Sequence, residues 1–172
     1  MKTIAEEKRS AIARSLQNDP GAVLEYLALD HSVSVADIVA CLPEHQVTMV
    51  DGALFETVML RMADWGDVTF LVHTDDVILE ARGTIPKGSF ARGYFNLHGG
   101  PIGGHIKGGN CRSIAFVTRP LFKSETKSVQ FFNANGDCMF KVYLGRDENR
   151  ELMPGQIAMF DALSAELGKT CR

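Results

Sequence analysis

Val68-Thr69-Phe70-Leu71-Val72-His73 and Val77-Ile78-Leu79-Glu80-Ala81-Arg82-Gly83, separated by Thr74-Asp75-Asp76, decide how this chain is to be read. Both flanks are rich in β-branched and aliphatic residues, and the short polar break between them predicts a hairpin. The two-residue period of a strand sends Thr69, Leu71 and His73 to one face and Val68, Phe70 and Val72 to the other. Toward the C-terminus, Tyr94–His98, Ser113–Thr118, Ser128–Phe132 and Cys138–Leu144 have the same texture. Ala134-Asn135-Gly136-Asp137 joins the last two, and Asn-Gly is a strong hairpin signal. Consecutive strands joined by short turns predict antiparallel pairing, because a parallel pair needs a long crossover.

Upstream of the hairpin the period changes. Phe55, Val58, Met59 and Met62 recur at helical spacing, and Gly66-Asp67 ends that helix. Before Pro43 the chain reads as helix. Ile4, Ile12 and Leu16 mark a charged first segment, ended by Asn18-Asp19-Pro20. Pro20 suits the first turn of a second helix, with Val23, Leu24, Tyr26 and Leu27 available for burial. Ser34 caps a third carrying Val35, Ile38, Val39 and Leu42, which Pro43 stops. After Gly145-Arg146-Asp147 a closing helix places Ile157, Phe160, Ala162 and Leu163 on or near its buried side. The fold class expected is α+β: a mostly antiparallel sheet flanked by N-terminal helices and a C-terminal helix. A single domain spans 1–172, helical over 1–44 and sheet-rich over 45–172.

Composition narrows the function. With 172 residues, 45% hydrophobic and 23% charged, the chain is an ordinary globular protein. Its 18 Lys+Arg against 21 Asp+Glu leave a net charge of -3, which argues against a nucleic-acid partner. A helix-turn-helix starting at His31 lacks a basic recognition helix, since Pro43-Glu44-His45-Gln46-Val47-Thr48-Met49-Val50-Asp51-Gly52 contains no Arg or Lys. No apolar run approaches the ~20 residues of a membrane span, so no membrane partner is expected. The N-terminus also lacks the apolar core of a secretory signal. Cys41, Cys111, Cys138 and Cys171 form no C-x-x-C pair, which favours reduced thiols in a cytoplasmic protein over structural zinc.

Five histidines are candidates for chemistry. His31 and His45 lie at helix ends and read as capping or exposed residues. His73 ends a strand beside apolar neighbours, where an imidazole can be satisfied structurally or point into a cavity. His105 lies in Gly99-Gly100-Pro101-Ile102-Gly103-Gly104-His105-Ile106-Lys107-Gly108-Gly109, which matches no phosphate-binding pattern. Ordering so much glycine costs entropy, tolerable where backbone turns sharply or approaches a ligand; a flexible crossing between strands is the plainer reading. Lys107, Arg92 and Arg112 add positive charge nearby. No nucleophile elbow, H-E-x-x-H or carboxylate pair is present. Cys111 with His105 lacks a third, orienting group. Tyr94 and Tyr143 read as packed aromatics, with tyrosinate ligation the sharper alternative.

The motifs quoted around the hairpin, starting at Trp65-Gly66-Asp67, resemble those of the intracellular heme-utilisation carrier family (HutX, HuvX, ChuX). So do Gly88 with Gly93-Tyr94-Phe95-Asn96-Leu97, Gly103-Gly104-His105-Ile106-Lys107 with Asn110-Cys111, and Phe131-Phe132-Asn133 with Gly136. Lys141-Val142-Tyr143-Leu144-Gly145-Arg146-Asp147 completes the set, and the similarity runs from about Gly21 to the final helix. The resemblance implies a homodimer built on large antiparallel sheets that binds heme in the cytoplasm and passes it onward. It implies His73 and His105 as the axial ligands of the heme iron. From position alone, Lys107, Arg92 or Arg112 would meet the propionates, and Leu71 and Ile78 would wall the site at His73.

Because 32 positions separate the two histidines, only folding or dimer contact can bring them to one iron. A carrier must also release its cargo, so one histidine is expected to dominate and the other to assist. The expected function is therefore a heme carrier that hands heme to a downstream heme-receiving or heme-degrading protein. The runner-up is a heme-degrading enzyme, and a heme-responsive DNA-binding regulator comes third.

Overall fold

The computed structural model describes residues 5–169; Ile4 and Cys171 lie outside the described residues. In chain order come α1 (Glu6–Asn18), α2 (Leu24–His31), α3 (Val35–Val39), β1 (Val47–Asp51), α4 (Phe55–Met62), β2 (Asp67–His73) and β3 (Ile78–Thr84). There follow β4 (Ser89–Ala91), β5 (Tyr94–Leu97), β6 (Gly104–Ile106), β7 (Ser113–Leu121), β8 (Ser124–Phe132), β9 (Cys138–Tyr143) and α5 (Pro154–Gly168). Six strands form one sheet in the order β1-β7-β8-β9-β2-β3, and three form a smaller one in the order β4-β5-β6. Every strand pair is antiparallel. The class is α+β, as the sequence predicts.

The larger sheet carries a core on each face. One face buries Phe55, Val58, Met59 and Met62 of α4 and Phe160, Leu163 and Leu167 of α5, together with Phe95 and Leu97 of β5. Phe55 meets the rings of Phe95 and Phe131, each with centroids 5.5 Å away, while Phe131 and Phe140 stack at 4.3 Å. The other face takes Ile12 and Leu16 of α1, Leu24 and Ala28 of α2, and Ala36, Ile38 and Val39 of α3 against Ala115, Val117 and Phe132. Alternation along β2 is as read from the sequence: Val68, Phe70 and Val72 join the first core.

Several expectations are corrected. Pro20 does not open α2, which begins at Leu24. Pro20-Gly21 is instead pinned to the β7–β8 turn: Phe122 N–H donates to Gly21 O at 2.9 Å, and a Cβ on Gly21 would collide with the Phe122 carbonyl. Helix α3 stops at Val39, although Leu42 is still buried. On α5, Ala162 is exposed and Gln156 is buried instead. Gln156 survives there because its amide nitrogen donates to the carbonyls of Trp65 and Asp67 and its oxygen accepts from Gly145 N–H.

Strands β1, β4 and β6 add to the strands expected. β4 and β6 are three residues each and depend on pairing with β5, so the Gly104–Ile106 segment is strand rather than loop. After Pro43 the chain forms a short turn over Glu44–Gln46 and enters β1, where a DNA-reading module would need its recognition helix.

Candidate functional site

The larger sheet separates His73 from His105. His73 shares the outer face of β2 with Leu71, and both look toward α2 across a cleft of about 200 Å³. Ile78 lines the same cleft, so both apolar residues expected beside His73 are in place. Tyr26 of α2 lies edge-on to the imidazole, ring centroids 5.9 Å apart. His73 Nδ1 is 3.6 Å from Glu25 Oε2, and Glu25 Oε1 is 2.6 Å from Lys141 Nζ, close but not aligned as a hydrogen bond. These side chains are well covered, at 11% exposure for His73 and Glu25 and 4% for Lys141.

Burial alone would lower the Lys141 pKa, but the opposing charges of Tyr143 and Glu25 outweigh it and hold Lys141 above its ordinary value. Tyr143 is itself pushed up, by burial first, so its charge acts on Lys141 only at the alkaline pH where both titrate. Arg119 and Gln130 also line the cleft, and Arg119 Nε and Gln130 Oε1 are buried without hydrogen-bond partners.

His105 stands on the outward face of the small sheet, with Ile106 turned into the core below it. The strand period of β5, continued past its end, brings Tyr94, Asn96 and His98 to the same face. His105 is the cross-strand partner of Asn96 and its Nδ1 lies 2.7 Å from Asn96 Oδ1. The rings of His98 and Tyr94 stand edge-on to it at 5.9 and 6.2 Å. Lys107 Nζ sits 5.7 Å over the Tyr94 ring, so this cation joins the His105 face. Arg92 occupies the β4–β5 turn with φ 53°, two residues from Tyr94. Arg112 is exposed at the entrance to β7, where its carbonyl accepts from Gly52 N–H; it makes no contact with either histidine among the described residues.

The glycines around His105 have physical reasons. Gly104 has φ +144°, a backbone conformation that side chains rarely adopt, and a Cβ on Gly108 would strike the ring of Phe55. His98 is the fifth histidine, given no role by the sequence, and Asn96, Glu25 and Lys141 are not among its candidates. The β5 residues follow from alternation, whereas Glu25 and Lys141 meet only when α2 packs on the sheet. His31 is structural, 2.9 Å from Ser15 Oγ. Burial pushes the Cys111 thiol up to about 11, so it is protonated at neutral pH and is no nucleophile.

Within one chain, therefore, the two histidines cannot share an iron. Among the described residues no group of three or more His, Cys, Asp or Glu is placed to hold a free metal ion. Cys41, Cys111 and Cys138 are free thiols. His73 thus stands at a cleft on the larger sheet and His105 on the open face of the smaller one. The chain belongs to the haem utilisation ChuX/HutX family, whose model matches residues 48–163.

It is 38% identical over 163 residues to the intracellular heme transport protein HutX of Vibrio cholerae serotype O1, covering 94% of this chain and 84% of that one. The solved structure of the heme-binding protein ChuX has 40% identity and a TM-score of 0.83, with 91% of this chain and 98% of that chain covered. A protein of Erwinia carotovora superposes with a TM-score of 0.88 at 40% identity, covering 96% of this chain and 99% of that one. Apo-PhuS, a heme-binding protein from Pseudomonas aeruginosa, shares the fold at 10% identity and a TM-score of 0.72, with 93% of this chain on 48% of that chain.

Proposed function

We propose that the protein is an intracellular heme carrier and not an enzyme: it takes heme after uptake and hands it to a downstream receiving or degrading protein. Family membership, with a 38% identical relative named for heme transport, supports the cargo. The observation that carries the site is His105, an exposed imidazole with Nε2 directed away from Asn96 and with Tyr94, His98 and Lys107 around it. We assign His105 as the principal iron ligand and Lys107, with Arg92 at the neighbouring turn, to the propionates. His73 is the assisting ligand, since Glu25 and Tyr26 cover it.

Size supports an open, exchangeable site. Ligand cavities usually span about 300–1,000 Å³. The cleft beside His73 offers about 200 Å³, below that range, with α2 along one wall. The His105 face has a ligand and no roof. A second copy of the chain, covering that face, would complete it, and a homodimer fits this need. No helix among the described residues is long and apolar enough to cross a membrane.

Hemin titration followed by the Soret band tests the assignment. Wild type is expected to shift the band from its free-pigment position. His105→Ala should weaken binding by at least roughly tenfold and His73→Ala by less. Wild-type protein that leaves the band unmoved would remove the function, and equal, unaltered spectra and affinities in both variants would remove the ligand assignment.

A further inference from the structure

We infer that Asn96 fixes the tautomer of His105 and thereby leaves Nε2 unprotonated and ready for iron, an inference that rests on the heme reading above.

Asn96 and His105 face each other directly across β5 and β6. The Asn96 side-chain nitrogen lies 2.9 Å from the Tyr94 carbonyl oxygen, 3.2 Å from that of Ala91 and 3.3 Å from that of Ser89. Carbonyl oxygens only accept, so this end of the amide must be the donor. Rotating it by half a turn would press Oδ1 against three oxygens. The strand ends around the β4–β5 turn thus set the amide's direction, and Oδ1 is left pointing at His105 Nδ1, 2.7 Å away.

Oδ1 has no proton to give, so Nδ1 carries the hydrogen and donates it. A neutral imidazole has one N–H, and Nε2 is therefore the lone-pair nitrogen. Metal-bound histidines are oriented in this way by an acceptor on the far nitrogen, which also makes the ligating nitrogen more basic. Both members of the pair belong to one chain and face each other across paired strands. The edge-on rings of Tyr94 and His98 steady the imidazole plane. Asn96 is a positioning residue: it acts on iron only through His105.

The test begins without heme. Nitrogen-15 NMR of the heme-free protein is expected to show His105 as the Nδ1–H tautomer. Asn96→Leu, lacking the acceptor, should move it toward Nε2–H, the form a free neutral imidazole prefers, and lower hemin affinity by roughly 10- to 100-fold. Asn96→Asp keeps an oxygen opposite Nδ1 but presses its second oxygen on the carbonyls of Tyr94, Ala91 and Ser89, so it should not restore wild-type affinity.

An Nε2–H tautomer in wild type overturns the inference whatever the variants do, including a variant that fails to fold. So does wild-type hemin affinity in Asn96→Leu alongside its loss in His105→Ala. Should His105→Ala bind hemin as wild type does, the ligand assignment itself falls and takes the role of Asn96 with it; the tautomer then remains only as a property of the heme-free protein.

Discussion

Lys141 and Glu25 illustrate what a single buried charge demands. The ammonium is 4% exposed and the carboxylate beside it 11%, so each depends on the other for compensating charge. Removing one partner of such a pair costs about 3–5 kcal/mol, because the remaining charge stays buried. Glu25→Gln is expected to lose about 3 kcal/mol in urea unfolding, and Lys141→Met in the same chain to recover most of it. The pH dependence has a definite sign. Lys141 is raised above its ordinary value, so its contribution is complete below the unfolded pKa and disappears as pH climbs through the folded one. Cys111 behaves likewise: burial lifts it from 9.0 to about 11, and the folded state keeps a proton that the unfolded chain releases. By that shift alone, stability at pH 11 falls by about 2 kcal/mol relative to neutral pH. Cys138, pushed up to about 12 by burial, adds in the same direction. Urea midpoints at neutral and alkaline pH should therefore separate less in Cys111→Ala than in wild type.

At the level of elements, the β8–β9 turn and α3 meet at Gly136, whose carbonyl accepts from Ala36 N–H at 3.0 Å. Gly136 has φ +84°, and a Cβ there would collide with Ser34 Oγ. Ser34 in turn caps α3: its Oγ accepts from Asp37 N–H at 3.2 Å, and Asp37 Oδ2 accepts from Ser34 N–H at 3.1 Å. Left-handed backbone costs a non-glycine residue about 1–2 kcal/mol, and loss of a serine cap about 1 kcal/mol. Gly136→Ala should cost at least the former in thermal or urea unfolding. Combined with Ser34→Ala it should cost somewhat less than the sum, because the second change removes Oγ, the nearer of the two Ser34 atoms the first strikes, while the Ser34 Cβ stays in the way. Legibility divides along the same lines. The Asn-Gly turn, helix α4 and the two faces of β2 follow from residue order alone. Strand β6 does not, since Gly104-His105-Ile106 has little strand preference and takes its form from hydrogen bonds to β5.

For the whole molecule, the unfinished edge of the larger sheet is the main constraint. β3 has a neighbour on one side only, and Val77, Ile78 and Leu79 at its start are 55%, 53% and 61% exposed. A free apolar edge invites pairing with another chain. Sedimentation at micromolar concentration is expected to show a dimer, and Leu79→Lys to shift it toward monomer. A wild-type monomer would remove the homodimer proposed for the carrier.

Residue order determined the class, the antiparallel pairing, the apolar face of α4 and the projection of His73 away from Val68, Phe70 and Val72, because each depends on periodicity over neighbouring positions. It also brought His73 and His105 forward, through a family resemblance. Only the tertiary structure decided that the two imidazoles lie on opposite sides of a sheet, that Glu25 and Lys141 surround the first, and that Asn96 faces the second. Those are contacts between residues far apart in the chain. Their geometry comes from which strands pair and how helices close over them, and no local pattern encodes that.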